Sequence, residues 1–164
     1  MQIVYKVVMI GDFGVGKTSL VQRFINNSFS EEYLSTIGVS IAKKTTEHST
    51  IMLWDIEGHT EFKPIFKQYL LGAKGFILVG DMTRIDTIKA LQHHIELCHG
   101  IVPDVPIVIA LNKADIENIE NAEVLQQVEK ISSHIVKVLK TSAKSGEHVE
   151  ELFHALDKAV IEGL

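Results

Sequence analysis

Two kinds of apolar segment alternate along this chain of 164 residues. One kind is short and rich in β-branched residues, which is typical of strands buried on both faces of a sheet. The other spaces its apolar residues three and four apart, as an amphipathic helix does. The predicted strands are residues 3–10, 75–81, 105–112 and 135–141, and the predicted helices are residues 17–27, about 85–99, about 121–133 and 146–162. Strands that alternate with helices predict a mainly parallel sheet covered on both faces.

A hairpin adds a different kind of connection to this alternation. Two more strand-like stretches, 40–47 and 50–55, flank the dipeptide His48-Ser49, and so short a connection joins antiparallel neighbours. The fold class is therefore α/β, with one antiparallel edge strand on a mainly parallel sheet. Ligands of such sheets bind beyond the carboxyl ends of the strands, so functional residues are expected to gather there.

The composition favours one globular domain over residues 1–164. Hydrophobic residues make up 46% of the chain and charged residues 23%, and no repeat or linker divides it. The net charge of −5 argues against nonspecific binding to nucleic acid. The single cysteine, Cys98, excludes an internal disulfide framework and favours a cytoplasmic protein.

A membrane anchor is not expected in this chain. No apolar run reaches the 18 or so residues that span a bilayer. Gln2 excludes N-myristoylation, and the last residues hold no cysteine for prenylation. Membrane association would then be peripheral, through partners or through a tail that has been removed.

The stretch GDFGVGKT, residues 11–18, fits the phosphate-binding pattern G-x-x-x-x-G-K-[ST]. It follows a predicted strand and opens a predicted helix, which is the context that the pattern requires. The backbone N–H groups of such a loop and the helix N-terminus favour phosphate. Lys17 would reach the β- and γ-phosphates, and Thr18 would supply its hydroxyl to Mg²⁺.

Two further motifs end predicted strands and point to guanine. NKAD, residues 112–115, follows the strand 105–112, and TSAK, residues 141–144, ends the strand 135–141. The Asp115 carboxylate can accept two N–H groups from the guanine edge, a pair that adenine lacks, and backbone N–H groups of TSAK can meet the guanine oxygen. The phosphate-binding loop would also suit an ATP-dependent kinase-type enzyme, but Asp115 disfavours that function.

Taken in order, GDFGVGKT, Thr36, WDIEG, NKAD and TSAK resemble the motifs of Ras-superfamily small GTPases, with Rab as the nearest branch. The resemblance covers the whole chain, including flanking stretches such as KTSLVQRF and STIGV. It implies a P-loop NTPase fold with a six-stranded sheet and five helices. It also implies one bound GTP or GDP, one Mg²⁺, and two switch segments that rearrange with the γ-phosphate.

The resemblance further implies roles for individual residues. Thr18, Thr36 and Asp55 would hold Mg²⁺, and catalysis would involve Lys17, the Gly58 N–H and His59. The nucleotide-binding residues would be Gly11, Gly14, Val15, Gly16, Lys17, Thr18, Ser19, Phe29, Thr36, Asp55, Gly58, Asn112, Lys113, Asp115, Ser142, Ala143 and Lys144.

Three positions around the γ-phosphate depart from the Ras and Rab pattern. Phe13 replaces Gly or Ser, and its ring either points toward the attacking water or folds outward without effect. Glu57 replaces Ala, and it either points to solvent or weakens retention of Mg²⁺ and GDP. His59 replaces the water-orienting Gln. Translational GTPases have His there, and a neutral imidazole could orient the water.

Arginine usage predicts slow turnover. A transition-state arginine is worth roughly 10³–10⁵ in rate, but the two arginines of the chain, Arg23 and Arg84, lie outside the first switch. Two functions therefore stay open. One is a switch that hydrolyses GTP slowly and signals to effectors, in vesicle trafficking or polarity; the other is a GTP-binding interaction module with negligible hydrolysis.

The expected partners are effectors, GTPase-activating proteins and exchange proteins. The resemblance places an effector surface on the switch and interswitch residues Ile41, Trp54, Phe62, Phe66 and Tyr69. One predicted helix carries His93, His94 and His99. Because two of them are adjacent and would not share a helix face, a metal site is not expected there.

Overall fold

The computed structural model describes residues 2–27, 38–56, 58–60, 65, 67–116, 126–128, 131 and 135–164. Its centre is a six-stranded sheet in the order β2-β3-β1-β4-β5-β6. The strands are β1 (Ile3–Gly11), β2 (Val39–Thr45), β3 (Ser49–Ile56), β4 (Gly75–Asp81), β5 (Ile107–Asn112) and β6 (Ile135–Lys140). Only β2 runs antiparallel to its neighbour within this sheet. The predicted α/β class, with a mainly parallel sheet and one antiparallel edge, is confirmed.

Helices cover both faces of the sheet. The described helices are α1 (Lys17–Asn26), α2 (Ile85–Lys89), α3 (Leu91–Ile101) and α4 (Val149–Glu162), and a 3₁₀ turn spans Lys67–Leu70. Alternate residues of β1 serve the two faces: Val7 and Met9 pack in the core with α1 and α4, whereas Val8 and Ile10 pack in the core with α2 and α3. Strands that are apolar on both sides are what a covered parallel sheet requires.

The helix predicted at about 85–99 is interrupted at Ala90, between α2 and α3. The backbone of Ala90 stays right-handed with ψ −18°, so the apolar face continues across the break. The helix predicted at about 121–133 falls mostly outside the described residues, although 126–128 are helical.

The carboxyl ends of four neighbouring strands come together at one edge of the sheet. Gly11 ends β1, Asp81 ends β4 and Asn112 ends β5, while Asp55 is the penultimate residue of β3. Asp55, Asp81 and Asn112 are buried. Buried polar side chains at that edge are rare without partners, and their partners form the site.

Candidate functional site

The phosphate-binding loop follows β1 and is shaped by glycines. Gly14 and Gly16 have φ of 78° and 100°, values that residues with a Cβ rarely adopt. A Cβ on Gly16 would lie 2.4 Å from Nδ2 of Asn112, so this position also needs the space. Gly16 caps the N-terminus of α1, which directs the first N–H groups of the helix toward the loop.

Lys17 is buried at the start of α1, with Nζ 3.4 Å from the Gly11 carbonyl oxygen. Burial lowers the pKa of Lys17, and the carboxylates of Asp55 and Asp12 act in the opposite direction. An ammonium group held out of water among glycine backbone is well suited to a phosphate anion.

The Mg²⁺ candidates Thr18 and Asp55 lie side by side. The Thr18 hydroxyl donates to Oδ2 of Asp55 at 2.5 Å, which joins the first turn of α1 to the end of β3. Ser19 follows and is half-buried. Thr36 lies outside the described residues. Among the residues that the structure describes, no three His, Cys, Asp or Glu side chains group closely enough to hold a metal ion.

The NKAD segment holds the phosphate-binding loop in place. Nδ2 of Asn112 donates to the Val15 carbonyl at 2.9 Å, and Oδ1 of Asn112 accepts from the Thr141 hydroxyl at 3.1 Å. Nζ of Lys113 donates to the Gly14 carbonyl at 3.0 Å. The amide and the ammonium therefore join the end of β5 to the loop.

Asp81 completes this frame, and it belongs to none of the motifs that the sequence predicts as functional. Its side chain is fully buried, and Oδ2 lies 2.8 Å from Nζ of Lys113 and 3.0 Å from Nε of Arg84. Burial alone would raise the pKa of Asp81, but hydrogen bonds from Lys113, Thr83 and Arg84 outweigh burial and hold the pKa below its ordinary value. A charged residue that ends an otherwise apolar strand was the available signal.

The base-recognition residues meet between β5 and β6. The Ser142 hydroxyl donates to Oδ1 of Asp115 at 2.8 Å, which orients the carboxylate. Arg23 of α1 donates to the carbonyls of Ala143 and Lys144 at 2.8 and 2.5 Å. Arg23 thus joins α1 to the TSAK segment. Phe29, the expected partner of the guanine face, lies outside the described residues.

The segment after β3 is hydrogen-bonded to the phosphate-binding loop. The His59 N–H donates to the Gly11 carbonyl at 3.0 Å, and the His59 carbonyl accepts from the Phe13 N–H at 2.9 Å. A Cβ on Gly58 would lie 2.6 Å from Cα of Phe13, so only glycine allows this approach. Nη2 of Arg84 donates to the Phe13 carbonyl at 2.8 Å. Glu57 lies outside the described residues.

Three histidines and one aspartate gather on this side of the site. The ring of His59 lies 5.6 Å from that of His94 and 6.5 Å from that of His93, between centroids. Nε2 of His94 lies 2.9 Å from Oδ1 of Asp12. Although His93 and His94 are adjacent in sequence, both of their rings approach His59. No sequence motif marks this cluster, because it depends on how α3 packs against the loop.

Burial lowers the pKa of His59, and the nearby His94 and His93 lower it further, whereas Asp12 acts in the opposite direction. A lowered pKa keeps the imidazole neutral at pH 7, as the sequence analysis expected. A neutral ring can accept a hydrogen bond from water at one nitrogen.

Comparison with known proteins accounts for this arrangement. The family model described as "Ras family" matches residues 6–162. The chain belongs to the Ras family. It is 32% identical to the Ras-related protein Rab-13 of Canis lupus familiaris over 162 residues, covering 96% of this chain and 80% of that protein. It is 36% identical to the Ras-related protein Rab-11A of Dictyostelium discoideum over 154 residues, covering 91% of this chain and 72% of that protein.

A third relative is the GTP-binding protein ypt1 of Schizosaccharomyces pombe, 32% identical over 163 residues, with 96% of this chain and 80% of that protein covered. The predicted Rab-like branch of the Ras superfamily is confirmed, and the protein is a small GTPase. The guanine-nucleotide switch is the class of function that this family membership establishes.

In this small GTPase both arginines are already engaged. Arg23 donates to backbone carbonyls of residues 143 and 144, and Arg84 donates to Asp81 and to the Phe13 carbonyl. Phe13, in the loop beside Arg84, is 44% exposed.

The predicted effector surface of the GTPase is described in part. Ile41 on β2 is 48% exposed. Trp54 on β3 lies opposite Ile41 in the antiparallel pair, and Nζ of Lys6 sits 3.7 Å from the centroid of its ring. The ring of Tyr69 lies 6.3 Å from that of Trp54. Phe62 and Phe66 lie outside the described residues.

Among the residues that the structure describes, no helix combines the length and the apolar character that crossing a bilayer requires.

Proposed function

We propose that this Rab-like protein cycles between GTP and GDP, hydrolyses GTP slowly, and signals to effectors in vesicle trafficking. The observation that carries the proposal is the meeting of Lys17, Thr18, Asp55 and the NKAD frame at one edge of the sheet. The proposal treats residues 1–164 as one GTPase domain, and includes the nucleotide-binding residues named from the sequence.

The described residues suit a guanine nucleotide with Mg²⁺. The left-handed glycines of the loop leave room for phosphate oxygens, and the buried Lys17 ammonium supplies the charge. The adjacent Thr18 hydroxyl and Asp55 carboxylate form a hard oxygen pair, the ligand type that Mg²⁺ prefers. When bound, the ion neutralises charge on the β- and γ-phosphate oxygens.

Hydrolysis would follow in-line attack of a water molecule on the γ-phosphate. Lys17 neutralises the charge that develops on the phosphate oxygens. The imidazole of His59 orients the water. It is neutral because burial and the neighbouring histidines lower its pKa. The Gly58 N–H binds the γ-phosphate. With no arginine free in the chain, the rate stays near the unassisted order of 10⁻⁴ s⁻¹ or below, and a GTPase-activating partner supplies the missing charge.

A second function is favoured by the γ-phosphate side of the site. There, Phe13 and His59 are hydrogen-bonded to each other through the backbone, and Arg84 is held by Asp81 and the Phe13 carbonyl. The second function is an interaction module that binds GTP with negligible hydrolysis, because Phe13, Glu57 and His59 depart there from the Ras and Rab pattern. It would be switched by nucleotide exchange alone.

One experiment separates the two functions. The nucleotide that copurifies with the protein is identified, and single-turnover GTP decay is followed with and without Mg²⁺. Slow decay that requires Mg²⁺ supports the switch, and decay equal to that of free GTP supports the module.

The single variants Phe13→Gly, Glu57→Ala and His59→Gln then show which residue sets the rate of GTP decay. Equal GDP release from wild type and Glu57→Ala would refute the idea that Glu57 weakens retention of Mg²⁺ and GDP.

Guanine specificity is tested at Asp115. Truncation in Asp115→Ala removes the acceptor of two guanine N–H groups, so we expect GDP affinity to fall at least tenfold, since losing a charged hydrogen-bond partner costs about 1.5–3 kcal/mol. Fluorescent-GDP titration measures this, and Glu162→Ala, which removes an exposed carboxylate at the end of α4, is the matched control. A variant that keeps wild-type affinity and preference over ADP would contradict guanine recognition by Asp115.

Effector binding, exchange and GTPase activation would occur on the switch and interswitch surface. Ile41, Trp54 and Tyr69 belong to its described part, and Phe62 and Phe66 extend the proposal along the second switch. Membrane association would be peripheral, through these partners or through a tail that continues beyond this sequence.

A further inference from the structure

His94 joins α3 to the phosphate-binding loop. Its side chain is 1% exposed, and Nε2 lies 2.9 Å from Oδ1 of Asp12. Asp12 is the second residue of the GDFGVGKT motif and directly precedes Phe13, whose N–H and carbonyl are both hydrogen-bonded. The buried His94 imidazole therefore contacts the loop at the point where the loop faces the segment after β3.

The surroundings of the His94 ring determine which of its two nitrogens carries the hydrogen. Nδ1 is buried and has no hydrogen-bond partner within the described part of the chain. A hydrogen on Nδ1 would thus be a buried, unsatisfied donor, which costs roughly 1–3 kcal/mol. With the hydrogen on Nε2, His94 donates to the Asp12 carboxylate and leaves no donor unsatisfied.

The same ring also contacts His59. The two imidazoles meet edge to face, with an interplanar angle of 73° and centroids 5.6 Å apart. The backbone of His59 is fixed by its hydrogen bonds to Gly11 and Phe13, so the His94 edge restricts the remaining freedom of the His59 side chain. One buried residue thus touches both the phosphate-binding loop and the residue proposed to orient water.

We propose that His94 is a positioning residue for the γ-phosphate side of the site: it fixes the loop through Asp12 and fixes the His59 ring through their edge contact. This inference rests on the proposed role of His59. The titratable groups that face His59 are His93 and His94 from α3 and Asp12 from the loop, and among them the histidines favour the neutral form of His59. The buried Lys17 lies near the same carboxylate.

Two substitutions separate the two contacts. His94→Phe keeps an aromatic ring beside His59 but removes the donor to Asp12, whereas His94→Gln keeps a donor that can reach Asp12 but removes the ring. His99→Gln, on the same helix, is the matched control. All four proteins are prepared with GDP, and thermal unfolding shows whether each is folded.

The first measurement is titration of His59 by NMR of histidine ring signals, with and without nucleotide. We expect the pKa of His59 to rise in both His94 variants, because a neighbouring imidazole that disfavours the charged form is gone, and to stay at the wild-type value in His99→Gln. A folded His94→Gln variant, which lacks the ring, in which His59 titrates as in wild type would refute the edge contact as a positioning interaction.

The second measurement is the release rate of a fluorescent, non-hydrolysable GTP analogue. We expect about tenfold faster release from His94→Phe, because a hydrogen bond to a charged partner contributes about 1.5–3 kcal/mol. His94→Gln should restore the rate to within about threefold of wild type. Equal release from wild type and His94→Phe would refute the Asp12 contact.

Asp12→Ala removes the same bond from the other side and keeps the proposal testable if His94→Phe does not fold. Its release rate should match that expected for His94→Phe, and a double variant should be no worse than either single one. Additive effects would show that Asp12 and His94 act independently. If the wild type does not hydrolyse GTP, the hydrolytic part of the proposed function fails, but the titration and release measurements still decide whether His94 positions the loop and His59.

Discussion

At the scale of single residues, Gly16 shows how the absence of a side chain maintains the site. Its φ of 100° and the 2.4 Å approach of a would-be Cβ to Nδ2 of Asn112 both exclude a larger residue. In Gly16→Ala, Asn112 must move and lose its hydrogen bond to Val15. We expect loss of about 1–3 kcal/mol of unfolding free energy, with weaker GDP binding, measured by urea unfolding and GDP titration.

Gly100 supplies the matched control for that substitution. It lies in α3, and a Cβ there would meet nothing within 4 Å. We expect Gly100→Ala to leave GDP affinity unchanged and to raise stability by about 0.5–1 kcal/mol, since alanine is the better helix former. Equal behaviour of the two variants would mean that the conformation of Gly16 is not what the nucleotide site depends on.

Some residues of the site could be predicted from the sequence, and others could not. Lys17, Asn112 and Asp115 belong to motifs that are contiguous in sequence, so their spacing places them at strand ends. Asp81 and His94 act on the loop from elements that are distant in the chain, and no local pattern specifies which side chain α3 presents to residue 12. Such contacts depend on helix packing, which a single sequence does not reveal.

At the scale of elements, periodicity predicted the strands and the faces of the helices but not every boundary. The strand predicted at 75–81 matches β4. The division between α2 and α3 at Ala90 has no glycine or proline to mark it. It follows a turn of α2 in which the Thr87 hydroxyl donates to the Arg84 carbonyl and accepts from the Asp81 N–H. The start of this helical region is therefore tied to β4, a tertiary contact that periodicity cannot show.

The end of the sheet opposite the site is held by a buried aspartate on α4. Asp157 accepts from the Tyr5 hydroxyl at 2.5 Å, from the Ser49 hydroxyl at 2.6 Å and from the Thr46 hydroxyl at 3.4 Å. Burial, together with the Asp157 carboxylate, raises the pKa of Tyr5, so the phenol stays protonated and donates. One side chain thus joins α4 to β1 and to the β2–β3 hairpin.

We expect Asp157→Ala to destabilise the fold by about 2–4 kcal/mol, because it leaves buried hydroxyl groups without their acceptor. Thermal and urea unfolding of the GDP-bound protein measure the loss. Lys158→Ala, at the exposed neighbouring position, should change stability by less than about 0.5 kcal/mol. Because this network lies at the other end of the sheet, GDP release at low temperature should be unaffected; faster release would contradict a purely structural role.

At the scale of the whole molecule, Asp81 connects the parts that surround the nucleotide. It ends β4, binds Lys113 after β5, and binds Arg84, which in turn holds the Phe13 carbonyl in the loop. Its fully buried carboxylate must stay ionised to keep these partners. The integrity of the site and the stability of the fold therefore depend on the same proton equilibrium.

The pH dependence follows from the direction of the pKa shift. The pKa of Asp81 is lower in the folded protein than its ordinary value of 3.8, so its contribution to stability is fully present above about pH 5. That contribution is lost as the pH falls through 3.8 and then through the lower folded pKa.

We expect the free energy of unfolding of the wild type, measured with urea, to fall steeply below about pH 4. Asp81→Asn should have a lower free energy of unfolding than wild type at pH 7, and its free energy of unfolding should fall less on acidification. Because both proteins carry the same other carboxylates, the difference between their pH profiles isolates Asp81. Parallel profiles would show that Lys113 and Arg84 do not depend on its charge.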